Sequence, residues 1–227
     1  MSKKSENGLV NLLVNIAIPA IVLMKFSSDD WLGPVWGLII ALIFPFSYGL
    51  YDFIVRKERN ALSIIGVVSI ILTGGIGLLQ LDPKWIAVKE AAVPLVIAGV
   101  LLVSMKTKTP LVEVLIGQVI NLPKIRAAAS SELLTKKLKI TSYVVVFSFI
   151  VSAILNYVVS RIIVVSEPGS AAFTAELGRL TAVSYPFIAL PSTSVMIIGI
   201  IWLIASLKKD TGLSLEDLLH ENRSVKK

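Results

Sequence analysis

Apolar residues run through this chain in six long stretches, and the charged residues fall almost wholly between them. The stretches are 8–26, 31–55, 61–81, 85–105, 138–165 and 180–207. About 20 apolar residues in a helix cross the hydrocarbon core of a bilayer. Only structures that satisfy every backbone amide internally can do so, which for runs of this length means helices. The pattern therefore predicts an all-α membrane protein with six transmembrane helices, forming a single integral-membrane domain over residues 1–227. A soluble helix would show a polar face, and these stretches lack one. Hydrophobic residues make up 55% of the chain and charged residues 16%, which agrees with the pattern.

The connections give an orientation. Lys and Arg collect on the cytoplasmic side of membrane proteins. Here they collect in Lys3-Lys4, in Arg56-Lys57-Glu58-Arg59, in the long connection 106–137 with the adjoining Lys139, and in the tail 208–227. With six spans these segments share one side, and the neutral or acidic connections 27–30, 82–84 and 166–179 share the other. Both termini are expected in the cytoplasm. The net charge of +7 follows from this asymmetry and suits anionic lipid headgroups. Nucleic acid is not an expected partner, because no basic groove interleaved with aromatics is visible. In the long connection, residues 111–122 place Glu113, Gly117 and Asn121 on one helical face and aliphatics on the rest. They read as a short cytoplasmic interfacial helix or as a loop helix packed on the bundle. In the tail, Ser214-Leu215-Glu216-Asp217 reads as the start of a capped helix.

Polar residues inside the spans fall at helical spacings. Gly66, Ser69, Thr73, Gly77 and Gln80 share a face of the third span, and Gly37, Ala41, Pro45, Gly49 and Asp52 share one of the second. Ser148, Ser152, Asn156 and Ser160 form a four-residue ladder in the fifth. Such faces either pack helices closely or line a polar path. Lys89-Glu90 lies inside the fourth span, about 8 Å from Trp85 by helix rise. Pro94 takes the helical donor from the Glu90 carbonyl. The pair either faces an interior cavity or snorkels to the headgroups. Pro186 and Pro191-Ser192-Thr193-Ser194 suggest a helix break near the middle of the sixth span, a feature that transporters use to bind substrate. Pro45 and Pro94 are further expected kinks. Asp52 and Arg56 stand one turn apart as a cytoplasmic ion pair.

Candidate chemistry is otherwise sparse. The chain has no cysteine, which excludes disulfides and thiolate sites. No phosphate loop, dinucleotide-binding pattern, nucleophile elbow or metal-binding helix is recognisable. No catalytic, cofactor-binding or metal-binding residue is assigned, no cofactor is expected, and the chain is not read as an enzyme. The stretch 16–23 echoes 91–98, and a three-plus-three inverted repeat would follow from it.

Asp82-Pro83-Lys84-Trp85 with the Lys-Glu span after it, Asn121-Leu122-Pro123, and Ala153-Ile154-Leu155-Asn156-Tyr157-Val158-Val159 together resemble the intracellular septation protein A (YciB) family over roughly residues 80–165. Lys84-Trp85 stands where that family carries Lys-Trp-Lys-Pro, so Lys89-Glu90 need not be equivalent to a family site. Gly33–Trp36, Tyr48–Asp52 and Thr73–Leu78 are similar to segments of a related group of six-span bacterial proteins without an assigned role. The resemblance implies a bacterial inner-membrane protein serving envelope maintenance or division, with a homo-oligomer or other envelope membrane proteins as partners. It supplies no catalytic residues. The other class is a small-solute or ion transporter or channel with an interior lined by Thr73, Lys89, Glu90, Ser148, Ser152, Asn156 and Ser192–Ser194.

Overall fold

The computed structural model describes residues 13–55, 61–107 and 109–219, and the side chains of all of these except 52, 53 and 61–67. The described chain is helical, and its one β-type pairing is an isolated antiparallel bridge between Ile120 and Leu219. In chain order the helices are α1 (Leu13–Phe26), α2 (Gly33–Ile54), α3 (Ala61–Leu78), α4 (Lys84–Ser104), α5 (Leu111–Ile116), α6 (Leu122–Ala128), α7 (Ser131–Ile163), α8 (Ala171–Ser184), α9 (Leu190–Thr211) and α10 (Leu215–Leu218).

Four described helical runs are long and apolar enough to cross a membrane: Gly33–Tyr51, Lys84–Ser104, Ser131–Ile163 and Ala171–Thr211. Of the other two expected spans, the described part of the first is the apolar helix Leu13–Phe26, and the third falls on the 18-residue helix α3, whose part with described side chains includes the apolar stretch Val68–Leu78. Residues 8–12 of the first expected span lie outside the described residues.

Several helix limits differ from the sequence reading, each for a local reason. Helix α7 starts seven residues before the expected 138. Leu134, Leu138, Thr141, Ser142, Val145 and Val146 are buried along one stripe, so its first turns are amphipathic rather than apolar. The expected span 180–207 starts instead at Ala171, within the expected connection. There the Ser170 hydroxyl accepts from the Phe173 amide at 3.1 Å, a helix N-cap. Phe173, Thr174, Leu177, Gly178 and Leu180 are buried at helical spacing. The expected interfacial helix 111–122 is two short helices, α5 and α6. Asn121 caps α6 by accepting from the Lys124 amide at 3.2 Å, and Pro123 sits in its first turn, where a missing N–H costs nothing. Val112, Ile116, Ile120, Leu122 and Ile125 are buried, so this connection packs as core. The expected tail helix is present, with Ser214 and Asp217 capping each other's backbone.

Prolines act where the turn widens. Helices α2 and α4 continue through Pro45 and Pro94. Wide π-type turns occur at Leu13–Ala17 and Val22–Phe26, either side of Pro19, and at Tyr185–Ala189, which contains Pro186. A proline ring clashes with the carbonyl four residues back, and a locally wider turn relieves that clash. The expected break at Pro191–Ser194 is therefore misplaced. That segment is regular α-helix at the start of α9, and the irregular turn lies just before it.

Contacts group the chain into two compact units. The first comprises 1–93 and 153–189, the second 94–152 and 190–227. Two of the three chain crossings fall at Pro94 and at the end of the wide turn Tyr185–Ala189. The core of the first unit is Leu23, Leu38, Ala41, Ile76, Ile86, Val164, Phe173, Leu177 and Leu180. The core of the second joins Leu101 of α4 and the connection residues to Val145 and Val146 of α7, Leu203 and Leu207 of α9, and Leu218 of α10. In both, small residues set the helix spacing. A Cβ on Gly178 would lie 2.7 Å from Leu23 Cβ and 2.9 Å from the Ala20 carbonyl, and one on Gly77 would lie 2.5 Å from Leu38 Cδ2. Helices without a hydrophobic driving force between them associate through such close packing.

Two outcomes follow. Gly178→Ala should destabilise the detergent-solubilised protein by roughly 1–3 kcal/mol, because the backbone of α1 has to move. Gly75→Ala, with nothing within 4 Å of the added carbon, should be neutral or stabilising by up to about 1 kcal/mol. Thermal unfolding midpoints of the two variants test this, and equal midpoints would exclude a close α1–α8 contact at Gly178. The second outcome concerns α10. Asp217 is held down to about 2 by hydrogen bonds from the Lys124 ammonium and from Ser214, against an ordinary 3.8. A carboxyl lowered on folding stabilises the folded form above its ordinary pKa and loses that contribution as pH falls through the folded one. Protease protection of residues 212–219 should therefore persist at pH 5 and decline from about pH 4 toward pH 2. Asp217→Asn should remove this dependence, and an unchanged pH profile in that variant would assign it elsewhere.

Candidate functional site

Asp82 and Pro83 start α4. The Asp82 carboxylate accepts from the Lys84 amide at 2.8 Å and pairs with the Lys84 ammonium at 3.1 Å. These two bonds hold the Asp82 carboxyl below its usual range. Once the helix is started there, Ile86, Ala87, Lys89, Ala91, Pro94, Ala98 and Leu101 fall on its buried face. Lys89 is therefore carried inward with the apolar residues and does not snorkel, its side chain only 6% exposed.

Helix α3 presents Ser69 and Thr73, one turn apart, to that lysine. The Lys89 ammonium donates to Thr73 Oγ1 at 2.8 Å, to Ser69 Oγ at 3.2 Å and to Glu90 Oε1 at 2.6 Å. An ammonium has three protons, so this one is saturated. Thr73 in turn donates to the Ser69 carbonyl at 3.0 Å, which fixes its lone pairs toward the lysine. Adjacent residues on a helix point about 100° apart and do not normally meet. The contact with Glu90 forms because the lysine stem is long enough to fold back. Glu90 keeps its carboxylate 32% exposed. The net charge of the cluster is zero, which removes most of the cost of an ion within an apolar helix pair.

Of the residues singled out in the sequence, Thr73, Lys89 and Glu90 come together. Ser148, Ser152 and Ser192–Ser194 belong to the second unit, and Asn156 to the first. Ser148 is buried and donates to the Val145 carbonyl at 2.7 Å, which is helix packing. Ser152 and Asn156 are half-buried, and Ser160 is buried with its hydroxyl unpaired. Ser192 is buried, but Thr193 and Ser194 are exposed, and Ser194 donates to the Leu190 carbonyl at 2.8 Å. They do not line an interior, because a regular helix at Pro191–Ser194 turns only one of the three residues inward. The Asp52 side chain and Arg56 lie outside the described residues.

Three polar contacts were not anticipated. Ser69 completes the Lys89 site, and its spacing of four from Thr73 is the signal for it. Glu176 of α8 accepts from the Val165 and Ser166 amides at 3.0 and 2.9 Å and from the Ser166 hydroxyl at 2.6 Å, satisfying the chain just past α7. Lys137 of α7 bonds to the Ser206 carbonyl at 2.9 Å, to the Ser206 hydroxyl and to Asp210 of α9. That is again one lysine meeting a hydroxyl and a carboxylate. Among the described residues, no three His, Cys, Asp or Glu side chains group as a metal site.

The geometry ranks two substitutions. Glu90→Gln keeps an acceptor for Lys89 but leaves a buried charge uncompensated. It should cost about 2 kcal/mol, less than the 3–5 of a fully buried pair because Glu90 is partly exposed. Lys89→Met should cost less, because the carboxylate left behind is the more exposed partner. Unfolding in mixed detergent micelles measures both, and a reversed order would mean that Lys89 reaches water.

Comparison of the chain with family models, with curated proteins and with solved structures finds no match, so the site is interpreted from its own geometry.

Proposed function

We propose that this chain is a non-enzymatic polytopic protein of a bacterial inner membrane that supports envelope maintenance or division through contacts with lipid and membrane partners. The observation that carries the reading is the saturated Lys89 ammonium. Its three protons are committed to Ser69, Thr73 and Glu90, leaving none for a passing solute, and the cluster works as a clamp between α3 and α4. The outer surfaces of the helices are rich in exposed Leu, Ile, Val and Trp, which suits lipid and partner helices. Six spans, with both termini cytoplasmic, remain the arrangement that the Lys and Arg distribution favours. The sequence resemblance to the septation protein A family supports the envelope role.

One observation favours a second reading, a small-solute or ion transporter. The Glu90 carboxylate is partly exposed and its hydrogen bond to Lys89 uses only Oε1, which leaves an oxygen for a proton or cation. A three-plus-three repeat would strengthen this reading. The echoing segments differ in form, however, since 16–23 holds wide turns and 91–98 is regular helix.

Proteoliposomes distinguish the two. The envelope reading expects proton and potassium flux equal to that of empty vesicles, together with altered cell length or envelope integrity on depletion in cells. Reporter fusions after Lys57 and Ser170 should report opposite sides. Parent flux above background that Glu90→Gln abolishes would overturn the envelope reading in favour of transport.

A further inference from the structure

The second unit contains a cavity of about 470 Å³ beside the first turns of α7. Its lining mixes polar and charged side chains, Glu113, Arg126, Ser131, Thr135, Lys139 and Ser142, with the apolar Met105, Pro110, Leu134 and Leu138. Arg126 is ion-paired to Glu113. Lys139 has no hydrogen bond or ion pair to any described residue, and the lining carries one net positive charge: two cations, Arg126 and Lys139, less Glu113. Two other cations of this unit are paired within it, Lys124 with Asp217 and Lys137 with Asp210, while Lys106, Lys136, Lys208 and Lys209 are exposed and outside the cavity lining.

We infer that this cavity seats the headgroup of an anionic phospholipid. The lining is amphipathic, as such a ligand is. Lys139 and the Ser131 hydroxyl face a phosphodiester, and Met105, Leu134 and Leu138 receive the glycerol and the first acyl carbons. Ser131 to Ser142 cover about 16 Å of helix rise, from the polar start of α7 into its apolar span. The cavity thus sits where that helix leaves the headgroup layer. Basic pockets between membrane helices bind anionic headgroups in this way. A free phosphate shares the charge but makes no use of Met105, Pro110, Leu134 and Leu138, and the volume exceeds what it fills. The inference rests on the membrane placement proposed above and is independent of whether the chain carries flux.

Native mass spectrometry of the full chain, released from detergent, tests it with phosphatidylglycerol, phosphatidylcholine and inorganic phosphate as probes. Phosphatidylglycerol should be retained in preference to phosphatidylcholine. Lys139→Gln should weaken phosphatidylglycerol binding about fivefold, whereas Lys209→Gln, an exposed lysine outside the cavity, should leave it unchanged. Inorganic phosphate should not compete. Equal losses in the two variants would reduce the effect to surface charge and overturn the site. Competition by phosphate would reassign it to a soluble anion. Loss of both lipids in Lys139→Gln would mean that the cavity had collapsed and that charge is not what it reads. The reporter fusions test the membrane placement separately, so failure of that placement and failure of the site are distinguishable.

Discussion

An ammonium group shielded from water requires three acceptors, and the first unit is organised around meeting that requirement. Lys89 sits on the buried face of α4 because Ile86 and Ala87 are there too, and helical geometry gives it no other direction. Two hydroxyls from α3 and the neighbouring carboxylate complete its shell. Each alternative is worse. An unpaired charge in hydrocarbon is costly, and an apolar residue would leave two hydroxyls without a common partner. The close approach of α2 and α3 at Gly77 and Leu38 belongs to the same packing, since the third helix turns one side to α2 and another to α4.

The second unit solves the same problem at its polar end with different pieces. Lys137 meets Ser206 and Asp210, Lys124 meets Asp217, and Arg126 meets Glu113. These contacts tie the connection between α4 and α7, and the segment after α9, into one cluster with Leu203, Leu207 and Leu218. The part of the chain richest in lysine is therefore built largely as folded structure. The Ile120–Leu219 bridge and the Asn121 amide donating to the Leu218 carbonyl at 2.8 Å continue the same tie through the backbone.

Helix existence was legible because long apolar runs have one physical solution. Helix ends were less so. Glu176 and Arg179 interrupt the apolar run before the sixth span and read as a connection, yet Glu176 is needed where it is to cap the amides after α7. The continuous aliphatic face of 111–122 hid the division at Asn121, although Asn before Leu-Pro is a helix start. At the Lys89 site the ionisable pair and Thr73 were visible as anomalies in apolar spans. Their mutual arrangement was not, because spacing along one helix does not say which neighbour it faces. Ser192–Ser194 show the converse, since three hydroxyls in a row cannot share one face of a helix.

The short link from Leu79 to Pro83 makes α3 and α4 neighbours in the chain, and the Lys89 hydrogen bonds to Ser69 and Thr73 join them in space. The ribosome delivers Ser69 and Thr73 before Lys89. These two acceptors lie 15 and 11 residues upstream of Lys84, the first residue of α4, and so are synthesised before the ammonium they bind. Helix α4 on its own carries the Lys89–Glu90 pair but leaves two ammonium protons without these acceptors, whereas a hairpin of α3 and α4 meets all three. The cluster thus makes the hairpin of α3 and α4, rather than α4 alone, the smallest piece of the chain in which every proton of that ammonium has its acceptor.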